Sequence, residues 1–557
     1  MRLGLQAFLP PCLLLISCQP DCEDHRDSGL WTPPEGVTLG EEQLCSAPID
    51  GFDRLVEESH SRGLDVELDT LDFMGLGNLN GGLSAADLDG DGDLDLIFGN
   101  LYGQPLVFEN DGTGHFSALP SPEVDLLKLV GTIAAQHGAI DVDGDGWIDL
   151  LQVGFSAMWV YWNEEGAGFS SPEVLWRQTS GTMAQFGTMA WGDVDQDGDL
   201  DVVLPGLETR SGLTQAMEGQ MPVGHPEVLL LQEDGVFIEA AHLSPSETAG
   251  VNITATFTDR DGDGDQDLFI PSDLGQIMGD YPPSAFYRND GMSDTEMPLL
   301  VDDAPEIGAD LRMSSMGIST SDWNNDGLFD YCITDTGPIK CLMSAPDGTY
   351  YEGGQALGLD SPDPLPDSLW SGWGMEVIDI DNDGLEDLVA AGGQPIGGGA
   401  AGRTYIDAIW QGVDEGTRRF EHRPGHAFEQ EIDHYGLVSA DFDGDGFVEV
   451  VVSGAPGPIS YWQNQCGAGA WVDIELRGPL PNWEAFGARI DLTAGDTTWT
   501  REIQNIHAMA QHTTRQHFGL GELDRVDRIV VRWPDGTEVV YEDLPVNRRI
   551  LIEHPER

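Results

Sequence analysis

Apolar positions along this chain come in short runs rich in β-branched and aromatic residues, never in the three-to-four spacing of a long amphipathic helix. Leu96-Ile97-Phe98, Val202-Val203-Leu204 and Val450-Val451-Val452 are such runs, and each directly follows a cluster of acidic residues. Runs of this length and composition predict strands. Residues 137–175 show the unit most plainly. A strand at 137–140 leads into an acidic loop; strands at 149–151 and 158–162 follow, and a fourth runs from Phe169 to Leu175. The same order recurs along the chain, so the unit is four strands with an acidic loop between the first two. Units of 40–60 residues with four strands each predict propeller blades.

The acidic loop is a nine-residue pattern, DxDxDGxx(D/E), present seven times at intervals of 52 to 66 residues. Seven copies predict seven blades. The candidate metal-binding positions 1, 3, 5, 7 and 9 are Asp87, Asp89, Asp91, Asp93 and Asp95 in the first copy. They are Asp141, Asp143, Asp145, Trp147 and Asp149 in the second, and Asp193, Asp195, Asp197, Asp199 and Asp201 in the third. The fourth has Asp259, Asp261, Asp263, Asp265 and Asp267; the fifth has Asp322, Asn324, Asp326, Leu328 and Asp330. Asp379, Asp381, Asp383, Leu385 and Asp387 form the sixth, and Asp441, Asp443, Asp445, Phe447 and Glu449 the seventh. Side-chain oxygens at positions 1, 3, 5 and 9 and a backbone carbonyl at position 7 suit a hard cation, calcium before magnesium, which keeps more of its water. The absence of His and Cys from the pattern argues against zinc or copper. The glycine at position 6 permits a sharp turn.

An EF-hand opens in the same way but needs a bidentate Glu at position 12. Here position 12 is Phe98, Gln152, Leu204, Ile270, Ile333, Ala390 or Val452. The helical alternative fails.

With the turns at residues 110–116 and 163–169, residues 51–465 resemble the FG-GAP/VCBS repeats of integrin-α-like propellers, whose blades carry a calcium loop between their first two strands. The resemblance implies about seven calcium ions, with weaker sites where Asn324 and Glu449 depart from the pattern. After Glu449 the acidic loops stop. Segments at 486–490, 517–521, 530–536 and 547–550 resemble the ASPIC/UnbV domain, and the pair of domains resembles the cartilage acidic protein family and its bacterial relatives. The expected fold is all-β: a seven-bladed β-propeller with a C-terminal β-sandwich-like domain at 466–557. The last blade lacks an obvious fourth strand, and residues near 52–57 are expected to supply it, since an open edge is a liability.

Residues 1–17 read as a signal peptide whose Leu15-Ile16-Ser17-Cys18 resembles a bacterial lipobox. Cys18 would carry lipid, with residues 18–50 as an acidic, Pro-containing tether; the alternative is an ordinary cleaved signal with Cys18 in a disulfide. Cys332 and Cys341 flank a short turn and are expected to bond. Cys22 and Cys45 could pair, which leaves Cys466 odd.

The formal net charge of −73 changes the picture of partners more than of fold. Seven divalent cations would offset only 14 of those charges. The surface repels nucleic acid and anionic lipid, so membrane contact is expected only through the N-terminal lipid. No GxSxG, HExxH, P-loop or dinucleotide motif is present, and His507, His512 and His517 are spaced by five, which puts neighbours on opposite faces of a strand. The chain is therefore read as a monomeric non-enzyme. The leading function is extracytoplasmic recognition or adhesion toward a protein or glycan, on the outer membrane, at the cell surface or secreted. The alternatives are an envelope scaffold and a propeller lyase or hydrolase with an unrecognised site. Long insertions at 205–225, 271–284, 360–371 and 392–404 all fall on the face opposite the acidic loops, and Met217, Met221, Met278 and Tyr281 are expected to give that face an apolar patch.

Overall fold

The computed structural model describes residues 33–557 except 50, 69–81, 100–104, 121–135, 155, 180–183, 210–223, 234, 244–249, 275–280, 294–296, 363–369, 396–404, 415, 455–456 and 505–508. Residues before Gly36 form a unit separate from the rest. Met217, Met221, Met278, His507, Cys18 and Cys22 lie outside the described residues.

Among the described residues seven antiparallel sheets of at least four strands follow one another, each with one acidic loop between its first and second strands. Blade 2 is typical: Gln136–Ile140, Asp149–Gly154, Ala157–Tyr161 and Glu173–Arg177 pair in sequence order. Its first three strands are wholly buried, whereas the fourth is mostly exposed. That gradient explains the sequence pattern, because strands covered on both faces need continuous apolar runs. First strands neighbour one another between blades 1 and 2, 3 and 4, 5 and 6, and 6 and 7, and Gly436–Ala440 of blade 7 lies beside Leu83–Ala86 of blade 1. The inner ring is tight. A Cβ on Gly187 would lie 2.2 Å from the Ile253 carbonyl oxygen, and one on Gly317 would lie 2.4 Å from that of Trp373. Glycine is the residue that lets neighbouring first strands approach this closely.

Blade 7 closes with a borrowed strand, as the sequence leads one to expect. Leu55–Glu57 pairs antiparallel with Gly457–Asn464, in the register Leu55 to Asn464 and Glu57 to Trp462.

The C-terminal region is two four-stranded sheets around one core that includes Val472, Ile474, Ile490, Leu492, Val531 and Ile550. One sheet is ordered Val37–Leu39, Arg548–Glu553, Ala470–Arg477, Gln516–Gly521, and the other Thr497–Glu502, Arg489–Ala494, Arg525–Arg532, Glu538–Pro545. Its edge strand Val37–Leu39 corrects the expected tether: from Gly36 onward the segment belongs to this sheet, with Val37 opposite Ile552. Cys45 bonds to Cys466 at a Cα–Cα distance of 5.7 Å, so neither the Cys22–Cys45 pairing nor a free Cys466 holds. A separation of 421 residues hides that pair from any local reading. Cys332 and Cys341 are bonded across adjacent strands. One stretch of chain, residues 36–68, thus supplies an edge strand to both the sandwich and the last blade.

Between Trp499 and His517 the sandwich sends a segment into the propeller axis. Ala510–Gln511 runs parallel to the inner strand of blade 1, and the Gln511 side-chain oxygen accepts from the Ala139 N–H of blade 2 at 2.6 Å. Met509 is buried with Val251, Ile253, Met316, Trp373 and Tyr435. Tyr281 belongs to the same cluster, which corrects its expected place in a surface patch: the axis is wide enough to take large apolar side chains. No helix among the described residues is long and apolar enough to cross a membrane.

Candidate metal centres

All seven acidic loops share one geometry, built largely from bonds between carboxylates and the loop's own amides. The position-6 glycine adopts φ between 85° and 99° and donates its N–H to the position-1 carboxylate at 2.7–3.1 Å. The position-7 N–H is donated to the position-5 carboxylate at 2.8–3.0 Å. The position-9 carboxylate accepts the position-2 N–H at 2.9–3.3 Å and so closes the loop on itself.

Its second oxygen reaches the third strand, accepting the N–H of Asn110, Asn163, Gln232, Asn289, Ser344 or Gly412 in blades 1 to 6. In blade 7 the longer Glu449 reaches the Gln463 side-chain amide instead, at 2.9 Å. Asn324 of blade 5 accepts the Asp326 N–H at 2.9 Å, as Asp89 accepts that of Asp91. The two departures from the pattern therefore keep the loop's shape.

Carboxylate oxygens converge to within 4.8 Å of one another in Asp87/Asp89/Asp91, Asp141/Asp143/Asp149, Asp193/Asp195/Asp197, Asp259/Asp261/Asp263 and Asp379/Asp381/Asp387. At position 3, Oδ1 of Asp195, Asp381 and Asp443 is buried without a hydrogen-bond partner. Burial, reinforced by neighbouring carboxylates, pushes the position-9 acids Asp95, Asp149 and Asp330 up to about 7, Asp267 to about 8 and Asp201 to about 9. Asp267 has Arg260 at 3.4 Å and Asp443 has Arg62 at 3.9 Å, but the others have no ion pair among the described residues, and buried acids with unsatisfied oxygens are costly unless a cation belongs among them. The donor set, all oxygen on a tight loop, fits calcium. The position-7 residues differ in side chain (Asp, Trp, Leu or Phe), consistent with a backbone role there.

Sequence reading took the Asn residues of the third strand only as turn formers. Each is a bridge. The Asn163 side-chain amide donates to the Ile148 carbonyl of its own loop at 2.9 Å and to the Leu88 carbonyl of the preceding loop at 2.8 Å. Asn110, Asn289 and Asn464 do the same for their loops and the preceding ones. The Asn recurring at the end of the third strand in blades 1, 2, 4 and 7 was the available signal.

The sandwich sits on this loop face. Glu484 accepts the Asp141 N–H at 3.2 Å, Glu502 that of Asp259 at 2.8 Å, and Trp471 lies against Gly446. His512 pairs with the half-buried Glu376 of blade 6 and His517 with Asn382, so these histidines serve the contact between domains.

An acidic-loop propeller covered by a β-sandwich is the class that fold and loops define. Residues 87–137, 141–204 and 322–390 match the FG-GAP-like repeat, and residues 478–557 match ASPIC and UnbV. The chain thus carries FG-GAP-like repeats and an ASPIC/UnbV domain. It is distantly similar to cartilage acidic protein 1 of Mus musculus, at 24% identity over 352 residues covering 50% of this chain and 51% of that protein. For the Homo sapiens protein the identity is 23%, covering 50% of each. The chain spans about half the length of these curated relatives. Solved structures with some likeness include BBS1N in complex with ARL6DN, at 9% identity and TM-score 0.40 over 76% of this chain and 98% of that one. Another is an Agrocybe aegerita lectin that recognises non-reducing terminal N-acetylglucosamine, at 14% identity and TM-score 0.41 over 69% and 95%.

Proposed function

We propose that this protein is an extracytoplasmic, calcium-binding recognition module that holds about seven calcium ions and presents the propeller face away from them to a protein or glycan partner. The observation that carries this reading is the position of the sandwich. It covers the loop face through Glu484, Glu502 and Trp471, so the acidic loops are structural and the opposite face is the one left to present. The two disulfides suit an oxidising compartment. Its repeats and C-terminal domain suit an extracellular adhesion or recognition role.

The protein acts as a monomeric binder and not as an enzyme, tethered to the outer membrane through lipid on Cys18. Fatty-acid labelling in the native host should be lost in Cys18→Ala, and a label that persists contradicts the anchor. For the binding role, replacing residues 210–223 with a short Gly-Ser turn should remove capture of the partner from solubilised envelopes while leaving calcium-dependent melting unchanged. Full retention of capture would place the binding surface elsewhere.

A further inference from the structure

The sandwich touches the loops in a pattern that repeats from blade to blade. In three of them it reads the carbonyl of the position-6 glycine. The Gly92 oxygen accepts from Arg515 at 2.7 Å and from Arg549 at 2.6 Å, the Gly327 oxygen from Arg489 at 2.9 Å, and the Gly384 oxygen from the Trp499 indole at 3.2 Å. At two further loops it reads position 1 instead, through the contacts of Glu484 and Glu502 with the Asp141 and Asp259 N–H groups. In blades 4 and 7 the position-6 carbonyl is taken by the preceding loop, through Gln196 at 3.2 Å and Asn382 at 2.8 Å. Asn382 in turn passes the contact on: its carbonyl accepts the Gly521 N–H of the sandwich at 2.8 Å, and its side chain meets His517.

Positions 1 and 6 are the two ends of the bond that folds each loop, from the position-6 N–H to the position-1 carboxylate. The sandwich therefore docks on the part of the loop that a bound cation would hold in shape. Without the cation, several carboxylates within a few ångströms repel one another, and the glycine carbonyls lose their fixed positions. Glu484 and Glu502 add further negative charge at blades 2 and 4, tolerable beside a cation and unfavourable beside bare carboxylates. What stays attached is the covalent side of the hinge: Cys45–Cys466 and the edge strand Val37–Leu39 tie the sandwich to the chain independently of the loops.

We propose that the C-terminal domain is a calcium-held cap, docked on the metal-bound loops and released from them when the metal leaves, so that Met509 to Gln511 withdraw from the propeller axis. This rests on the calcium reading above. Calcium occupancy and docking are then linked reciprocally: the cap tightens calcium at the loops it touches by the same factor by which calcium tightens the cap.

Hydrogen exchange on the full chain, followed by mass spectrometry in excess chelator and in millimolar calcium, tests this, with calcium uptake measured by calorimetry on the same preparation. Amides of residues 509–521 should exchange at least about tenfold faster in chelator, while Arg525–Arg532, in the same domain and away from the loops, keep their protection. Equal protection of 509–521 in both conditions, or loss of protection in 525–532 together with them, overturns the cap. Calcium uptake with an unmoved cap would sink this inference alone, whereas no uptake would sink the calcium reading with it. In the double variant Arg489→Ala/Trp499→Phe, which removes two carbonyl contacts at the rim, calcium affinity should fall about threefold to tenfold. Unchanged affinity with faster exchange at 509–521 would show that docking is not linked to the metal.

Discussion

Glu475 and Asp491 of the sandwich have cationic partners within the protein, whereas most buried acids of the propeller loops, and the sandwich's own Glu484 and Glu502 that meet those loops, have no ion pair among the described residues. Glu475 lies between Arg515 and Arg477, and Asp491 between Arg489 and Arg532. Burial would raise both acids, but the neighbouring guanidiniums prevail and hold them below their ordinary values. Asp201 and Asp267 are buried to the same degree or more, and burial pushes them far up. Asp267 has Arg260 beside it, and even that does not reverse the shift. The difference teaches where counter-charge is missing: at the loop face, on both sides of the contact, where burial raises Glu484 to about 8 and Glu502 to about 7 as it raises the loop acids.

The most severe way to break this comparison is to remove the strand the propeller borrows. Deleting residues 51–64 takes away the borrowed strand and leaves the edge of Gly457–Asn464 open, so soluble monomeric protein should be lost. Recovery of a stable monomer on a sizing column would contradict the closure.

Two substitutions sharpen it. Glu475→Ala removes the carboxylate partner of buried Arg515, which keeps its contact with the Gly92 carbonyl, and should cost about 3–5 kcal/mol in urea unfolding in calcium. Asp201→Ala should cost about 3 kcal/mol in calcium, because it opens the loop and weakens the site, and at least about 2 kcal/mol less in chelator, where the lost carboxylate was itself unfavourable. Equal costs for Asp201→Ala in both conditions would place its role outside the metal site. The smallest effect is at the bridges. Asn163→Ala frees the Leu88 and Ile148 carbonyls and should cost about 1–3 kcal/mol, with a lowered calcium affinity at blades 1 and 2 but no change in the sandwich. A variant as stable as the parent would show the bridge to be incidental.

The loops were legible in the sequence because everything that shapes them is local: nine residues supply the carboxylates, the glycine turn and the closing bond. Strand four of blade 7 was legible because residues 51–64 repeat the pattern of a fourth strand elsewhere in the chain. What could not be read depended on contacts closed only by the fold. Cys45 and Cys466 are 421 residues apart, and nothing near Val37 announces that it pairs with Ile552. Arg489, Trp499 and Arg515 look like ordinary residues of alternating strands until the sandwich is placed on the loop face. Tyr281 was misplaced for a related reason, since an aromatic residue in a long insertion gives no sign that it turns inward to the axis.

Thermal melting across pH, in excess chelator and in millimolar calcium, tests the missing counter-charge most directly. Burial raises the position-9 acids Asp95 and Asp149 to about 7, Asp267 to about 8 and Asp201 to about 9, above the unfolded value near 4. In chelator their contribution is therefore fully present below about pH 4 and is lost as pH rises through 7 and beyond. Calcium should abolish that loss and raise the midpoint at pH 7.5 by on the order of 10 °C. Coincident midpoints with and without calcium, or a metal-free protein whose stability rises between pH 4 and 7, would contradict the account.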